Sequence, residues 1–444
     1  MKIIIAGAGE VGTYLAKLLS QEKQDIVFMD SDEEKINMPY GLEIMTAVGN
    51  PTSINDLKSA GVKQADIFIA VTPEESVNIT ASMLATNLGA QTTIARVSNI
   101  EYLHPKNLEF FSKLGIDSLI CPEILAADEI VNALKTPWSC QWSELAGGKL
   151  ILIGVKIRDN ASLTNKYLFD ISQNEKNYHI VAIKRENDTI IPRGSDQILS
   201  DDIIYFITTA KYIPDIKTLA GKDRIDIDRI TIMGGSRIAM NVCENLPDNI
   251  QVKLIEKDRE KSYSLAEKVP GNVMVINGDG RDTDLLIREN IKECDAFIAL
   301  TSNSEANILS CVTAKNLGVP KTIAEVENVD YIQMAEKLDI DTVINKKLIT
   351  ASHIHQFLLD ADVSTVKSMN FANAEAAELV ARPKSKITRK LVKELNLPKD
   401  MTLGGRIRNG VAEIIEGNTQ IEAGDHVIVF CLDSAMSKIE DYFN

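Results

Sequence analysis

The feature that most constrains the fold is an internal repeat of long period. The segment that starts "GNPTSINDLKSAGVKQADIFIAVT" at Gly49 aligns without a gap with the segment that starts at Gly278, 229 residues later. Both contain D-x-F-I-A-x-T, then N-I, A-x-N-L-G and T-I-A-x-V. A second kind of unit follows each copy and places Asp202 against Asp425. The order is A–B–A′–B′, and each A unit is long enough to bury its own core, which argues against a solenoid.

Each A unit alternates short apolar runs with helical segments, a pattern that predicts a parallel sheet covered on both faces. We therefore expect an α/β fold with two Rossmann-like doubly wound domains, each followed by a small α+β domain. The B units show short strands punctuated by Gly, Pro and Asn, with a helical patch at Leu163–Ile171. The predicted domains are residues 1–137, 138–224, 225–362 and 363–444.

Composition excludes several classes of function. The net charge is −15 and no run of Lys or Arg occurs, which argues against nucleic-acid binding and against a polybasic lipid anchor. No apolar run reaches the roughly 18 residues of a membrane span. The six cysteines form no C-x-x-C pair, which indicates small buried thiols in a reducing compartment.

The first A unit opens with a glycine turn between a strand and a helix, "IAGAGEVGT". In Rossmann turns of this form, the first Gly permits the tight turn, the second lets the backbone approach a pyrophosphate, and the third allows close packing. The predicted contact residues are Gly7, Ala8, Gly9, Glu10 and Val11, with Gly12 at the third position. Asp30 ends the second strand and is placed to accept hydrogen bonds from ribose hydroxyls. Its charge would repel a 2′-phosphate, which favours NAD over NADP but does not separate NAD from ATP or ADP.

Further candidates follow the carboxyl ends of the later strands, where ligands bind in such sheets. Gly49 and Asn50 are expected on the adenine and ribose side, and Thr72 and Pro73 on the phosphate or nicotinamide side. Arg96 ends the fifth strand. Two interpretations of it remain open, a phosphate partner and a surface ion pair.

The second copy differs at the chemical positions. Ser236 adds a Cβ where the backbone should approach phosphate, and Glu256 takes the position of the ribose-binding acid. Glu325 stands where the first copy has Arg96. Arg237 is a candidate to compensate for the loss of that arginine. A functional second pocket and a vestigial one both remain open. The predicted second site comprises Gly234, Gly235, Ser236, Arg237, Ile238, Glu256, Asp279, Thr301, Ser302 and Glu325.

Catalytic apparatus is not evident. A dehydrogenase needs a proton-transfer residue near the nicotinamide, yet His179 and His426 stand at unrelated places in the B units. No metal-ligand spacing recurs, so we expect no metal site. The sequence therefore favours a nucleotide sensor over an enzyme. The alternative is an NAD-dependent oxidoreductase acting on a small metabolite.

With the "GAGEVG" turn, Asp30, the "D-x-F-I-A-V-T" and "T-I-A-R-V" strands and the A–B–A′–B′ order, the chain resembles the TrkA family over essentially its full length. These are cytosolic regulatory subunits of bacterial potassium transporters, built from tandem RCK (conductance-regulating) domains. The resemblance implies that the pockets bind NAD(H), with ATP and ADP as competitors. It also implies a homotetrameric ring that docks on the cytoplasmic face of a membrane subunit conducting potassium.

Overall fold

A computed structural model of the protein describes residues 1–20, 24–36, 44–172, 177–186, 188–222, 226–360, 366–368, 374–432, 435, 439 and 442–443. The chain divides into two compact units. Unit 1 comprises Met1–Val131 and Asp228–Phe357, and unit 2 comprises Asn132–Ile227 and Leu358–Asn444. Unit 1 thus holds both A copies and unit 2 both B copies. The predicted boundaries at 224/225 and 362/363 lie outside the described residues.

The first A copy is a six-stranded sheet in the order β3-β2-β1-β4-β5-β6, and each pair of neighbouring strands is parallel. This confirms the predicted doubly wound sheet. Its strands are β1 (Lys2–Ala6), β2 (Asp25–Asp30), β3 (Met45–Val48), β4 (Ile67–Ala70), β5 (Thr92–Arg96) and β6 (Ser118–Ile120). Its helices are α1 (Glu10–Ser20), α2 (Ile54–Ser59), α3 (Glu75–Leu88), α4 (Pro105–Lys113) and α5 (Pro122–Lys135).

The first B unit is a five-stranded antiparallel sheet in the order β10-β9-β11-β8-β7. The elements are β7 (Gln141–Leu145), β8 (Leu150–Lys156), α6 (Leu168–Ser172), β9 (Tyr178–Arg185), β10 (Asp188–Ile190), β11 (Ile203–Thr208) and α7 (Ile213–Leu219). The helical patch expected from Leu163 is wrong in its first part. Turns occupy that stretch, and Asn165 has a left-handed φ of 63° that ends any helix there.

The second A copy repeats the first, in the order β14-β13-β12-β15-β16-β17. Its strands are parallel, which confirms the prediction. They are β12 (Arg229–Met233), β13 (Gln251–Glu256), β14 (Val273–Asn277), β15 (Ala296–Ala299), β16 (Lys321–Glu325) and β17 (Thr342–Ile344). The helices are α8 (Arg237–Asn245), α9 (Arg259–Ala266), α10 (Thr283–Arg288), α11 (Ser304–Asn316), α12 (Ile332–Lys337) and α13 (Lys346–Asp360).

The second B unit has the antiparallel order β18-β19-β22-β20-β21. Its strands are β18 (Val366–Ser368), β19 (Ala374–Val380), β20 (Met401–Arg408), β21 (Val411–Ile414) and β22 (His426–Leu432). The two B units share one apolar core, to which Leu152 and Tyr205 contribute from the first and Ala376 and Phe430 from the second.

The repeated aspartates of the B units are structural. Asp202 is buried and forms a two-point pair with Arg185, at 2.9 and 2.8 Å. Asp425 is equally buried and pairs with Arg408 at 2.7 and 2.6 Å. Each carboxylate therefore meets a fork of donors that offsets its loss of hydration.

Candidate nucleotide-binding sites

Three glycines in the first turn have three distinct environments. Gly7 has a φ of +116°, and a Cβ there would lie 2.8 Å from the backbone nitrogen of Thr72. A Cβ on Gly12 would lie 2.0 Å from the carbonyl oxygen of Gly7. A Cβ on Gly9 would meet no atom within 4 Å. The first and third glycines are thus required by the protein's own packing, whereas the second borders open space of the kind that a phosphate would occupy.

The carboxylate of Asp30 is held against this turn. Its Oδ2 accepts a hydrogen bond from the N–H of Ala8 at 2.6 Å, and its Oδ1 accepts one from the N–H of Asp32 at 3.0 Å. The N–H of Gly49 donates to the Asp30 carbonyl oxygen at 2.8 Å. Asp30 is half-buried, so its outer face remains available to ribose hydroxyls. The structure brings together the two ends of the predicted site, at the turn and at β3.

Asn78 joins two other predicted positions, and sequence reasoning did not assign it. Its side chain is buried and donates to the carbonyl oxygens of Thr72 and Arg96, each at 2.9 Å. Its Oδ1 accepts from the N–H and the hydroxyl of Thr72. The available signal was the repeated N-I pair, which recurs as Asn307. Pro73 is exposed beside this group.

Arg96 carries an unsatisfied donor. Its Nε is buried and has no hydrogen-bond partner within the described part of the chain. No ion pair of Arg96 within 4 Å is found among those residues, although its charge lies close enough to Glu327 of the second copy to lower the pKa of that carboxyl. A buried, unpaired guanidinium N–H is costly unless a ligand meets it. Together with the open space at Gly9, this fits an anionic group such as a phosphate.

The second turn keeps the backbone of the first. Gly234 has a φ of +99°, and its N–H donates to the carbonyl oxygen of Ile255 at 2.8 Å, as Gly7 does to Met29. Ser236 differs from its counterpart. Its Oγ accepts a hydrogen bond from the N–H of Ala239 at 3.3 Å and so caps helix α8. The serine therefore uses a helix-terminal donor that a phosphate would otherwise take.

Glu256 is already engaged by the protein. Its Oε2 accepts from the N–H of Gly235 at 3.0 Å and lies 2.8 Å from the Lys261 ammonium, and its Oε1 accepts from Asp258 N–H at 2.9 Å. Burial raises the pKa of this carboxyl, but the contacts with Lys261, Asp258 and Gly235 outweigh it and hold the pKa below its usual range. Unlike Asp30, Glu256 is buried and has little capacity left for ribose.

The other two acids of the predicted second site are also paired. Asp279 contacts Arg281 at 2.6 Å and Lys257 at 3.2 Å, and the hydrogen bond from Arg281 depresses the pKa of its carboxyl. Glu325 is buried and lies 2.9 Å from Lys346. Burial raises the pKa of Glu325 more than the Lys346 ammonium lowers it.

Thr301 repeats the role of Thr72, with its hydroxyl 2.6 Å from Oδ1 of Asn307, and Ser302 is exposed. Ile238 and Val11 are buried, so they support their turns from inside. Arg237 does not lie over its own turn. Its guanidinium donates to the Ser98 carbonyl oxygen of the first copy at 3.2 Å, so the idea that it compensates for a missing phosphate partner gains no support.

Two doubly wound domains with Rossmann glycine turns, each followed by a small antiparallel domain, define a tandem RCK protein. The GsuK RCK domain has the same fold, with a TM-score of 0.59 at 14% identity, and the match covers 100% of this chain and 94% of that one. The TrkA-N domain model matches residues 3–122 and 230–346, and the TrkA-C domain model matches 152–221 and 376–444. The chain belongs to the TrkA family.

Curated relatives match along their whole length. The Trk system potassium uptake protein TrkA of Haemophilus influenzae is 32% identical over 452 residues, covering 100% of this chain and 98% of the relative. The protein of the same name from Halomonas elongata is 33% identical over 440 residues, covering 98% and 96%. A GsuK channel bound to NAD shares the fold with a TM-score of 0.58 at 14% identity, covering 100% of this chain and 78% of that one.

Proposed function

We propose that this chain is the nucleotide-binding regulatory subunit of a potassium uptake system. It gates a membrane subunit that translocates potassium in response to NAD(H), ATP and ADP. Relatives named as Trk potassium uptake proteins match along the full length, and GsuK, which shares the fold, has been solved with NAD and with ADP. The observation that carries the proposal is the first glycine turn, where Gly9 faces open space and Asp30 is held beside it.

The residues that would hold the nucleotide are those of the first copy. The turn from Gly7 to Val11 and the N-terminus of α1 offer backbone N–H groups and a positive dipole end to phosphate. Asp30 would accept hydrogen bonds from ribose hydroxyls, with Gly49 and Asn50 beside it. Arg96 would use its unpaired Nε on an anionic oxygen. The second copy, with Ser236 capping its helix and Glu256 paired to Lys261, is the weaker site.

Control of transport in this proposal is a shift between two conformations of a ring of four chains. A nucleotide shifts the ring only by the difference in its affinity for the two conformations. Coupling of about 1–3 kcal/mol would change transport roughly 5- to 150-fold. None of the described helices combines the length and the apolar surface that a bilayer span requires. In this proposal the chain lies in the cytoplasm and is held at the inner face of the membrane by its partner.

The alternative of an oxidoreductase has little support from the B-unit histidines. His179 is half-buried beside Thr402, its Nε2 lies 3.1 Å from the threonine Oγ1, and loss of hydration lowers its pKa to about 4. His426 Nδ1 lies 2.8 Å from the carboxylate of Glu378. A histidine held neutral and hydrogen-bonded to a threonine is a poor proton-transfer group for a nicotinamide site.

The test is Gly9→Ser, which copies the second turn into the first. Because a Cβ at Gly9 meets nothing within 4 Å, the variant is expected to fold. We expect calorimetry to show weaker binding of NADH and ATP, and potassium uptake to lose its response to them. Affinities equal to wild type would overturn the proposal. Steady consumption of NADH with a panel of small metabolites would instead support the oxidoreductase.

A further inference from the structure

Among the described residues, two ion pairs join the two A copies within unit 1. Lys347 of the second copy pairs with Glu10 of the first. Arg237 of the second copy lies 3.7 Å from Glu123 of the first, measured from Nη2 to Oε1. In both pairs, one member follows a glycine turn and the other lies at the start of the helix after the sixth strand.

The two pairs are equivalent under the repeat. Arg237 follows Glu10 by 227 residues, the separation of Gly234 from Gly7. Lys347 follows Glu123 by 224 residues, the separation of Ile344 from Ile120. Each turn position therefore contacts the helix position of the other copy, as in a two-fold symmetric interface.

Exposure follows the same symmetry. The turn members Glu10 and Arg237 are 65% and 62% exposed, whereas the helix members Lys347 and Glu123 are 23% and 11% exposed. The equivalent positions thus occupy equivalent environments, although their sequences have diverged.

The charges are exchanged between the copies. The first copy contributes an acid at both positions, Glu10 and Glu123, and the second contributes a base at both, Arg237 and Lys347. A first copy facing a second copy gains two opposite-charge pairs. Two first copies in the same geometry would place Glu10 against Glu123 twice, and two second copies would place Arg237 against Lys347 twice. Like charges brought together disfavour the wrong partner.

Neighbouring groups support and moderate this pattern. Burial raises the pKa of Glu327, but Lys346, Lys347 and Arg96 of the first copy lower it below its usual value. Two carboxylates of like charge also face each other across the copies. Burial raises the pKa of Glu325 in the second copy, and the charge of Glu123 in the first copy raises it too. Lys346, which lies 2.9 Å from Glu325 and from Glu327, offsets it.

We propose that these charge-exchanged positions make the first nucleotide-domain copy pair only with a second copy, and make either copy reject its own kind. In an assembly of several chains the two kinds of domain would therefore face each other in pairs of one first and one second copy. The proposal concerns pairing, and its test needs no nucleotide.

The experiment uses three full-length variants that all keep the amino-acid composition and net charge of the wild type. Exchange at the turn positions, Glu10→Arg with Arg237→Glu, makes the mixed pair repulsive and the like pairs attractive. Exchange at the helix positions, Glu123→Lys with Lys347→Glu, does the same. The fourfold variant that combines both exchanges restores two opposite-charge pairs between unlike copies.

Each double variant is expected to unfold several degrees below wild type in low salt and to change its assembly mass by native mass spectrometry. A chain has only one copy of each kind, so like pairing must recruit a second chain. The fourfold variant is expected to recover the mass and most of the unfolding temperature. Double variants identical to wild type would overturn the proposal. So would a fourfold variant no better than the doubles, because the four residues would then act only within their own copies.

Discussion

The carboxylate of Asp30 accepts a hydrogen bond from the N–H of Ala8 at 2.6 Å. An acid at the end of the second strand thereby fixes the turn that begins after the first strand. The second copy repeats the link, with Glu256 accepting from Gly235 at 3.0 Å. The difference lies in what else each acid meets, since Lys261 neutralises Glu256 and no ammonium lies within ion-pair distance of Asp30 among the described residues.

Asp30→Ala is expected to weaken binding of NADH and ATP without unfolding the protein. Hydrogen bonds to a charged acceptor contribute about 1.5–3 kcal/mol, on the order of ten- to a hundredfold in affinity. Calorimetric titration measures the change, with Glu256→Ala as the matched control in the second copy, where a smaller loss is expected. Equal affinities for wild type and Asp30→Ala would refute the ribose role.

Arg96→Met should reduce affinity for ADP while leaving adenosine binding unchanged. The methionine fills similar space but removes the unpaired Nε donor, and only a phosphate-bearing ligand uses that donor. A loss of about 1.5–3 kcal/mol for ADP is expected by calorimetry. Glu325→Gln, at the equivalent position of the second copy, is the control and is expected to leave ADP binding to the first copy intact. A parallel loss for adenosine would assign Arg96 a structural role instead.

Gly12→Ala is expected to destabilise the protein, and Gly9→Ala is not. The Cβ at Gly12 would lie 2.0 Å from a backbone oxygen, whereas at Gly9 it meets nothing within 4 Å. Overpacking of this kind costs about 1–3 kcal/mol. Urea unfolding of the two variants side by side measures the difference. Equal midpoints would mean that the turn rearranges freely.

Asp425→Asn is expected to destabilise the protein near neutral pH by about 3 kcal/mol, because it leaves the Arg408 guanidinium without its buried carboxylate partner. Burial raises the pKa of Asp425, but the hydrogen bond and charge of Arg408 outweigh this effect and hold the pKa below its usual value of 3.8. The stabilisation is therefore present above pH 3.8 and is lost as the pH falls through the lower folded value.

Unfolding measured from pH 7 downwards should show wild type and Asp425→Asn converging in acid. A constant difference down to the acid limit would contradict the assignment of the shift to this pair. Glu109→Gln is a suitable control, since Glu109 pairs with Lys113, both side chains are exposed, and exposed pairs contribute little.

The alternation of apolar strands and helices is local in sequence, so the parallel, doubly wound sheets could be predicted. The helix expected from Leu163 was wrong because Asn165 adopts a left-handed φ, which its neighbours do not reveal. Asn78 was visible only as part of the repeated N-I pair. Its function as a bridge between the loops after β4 and β5 depends on the closeness of two strand ends.

The sequence by itself determined the repeat, the fold of each copy and the position of the glycine turns, because these depend on short-range patterns and on register. Tertiary structure decided which polar groups are already satisfied. It showed that Ser236 caps its own helix, that the Nε of Arg96 is unpaired, and that Arg237 reaches Glu123 in the other copy. Hydrogen bonds and ion pairs depend on distances between atoms that the chain brings together only on folding, and residues 114 positions apart carry no local sign of meeting.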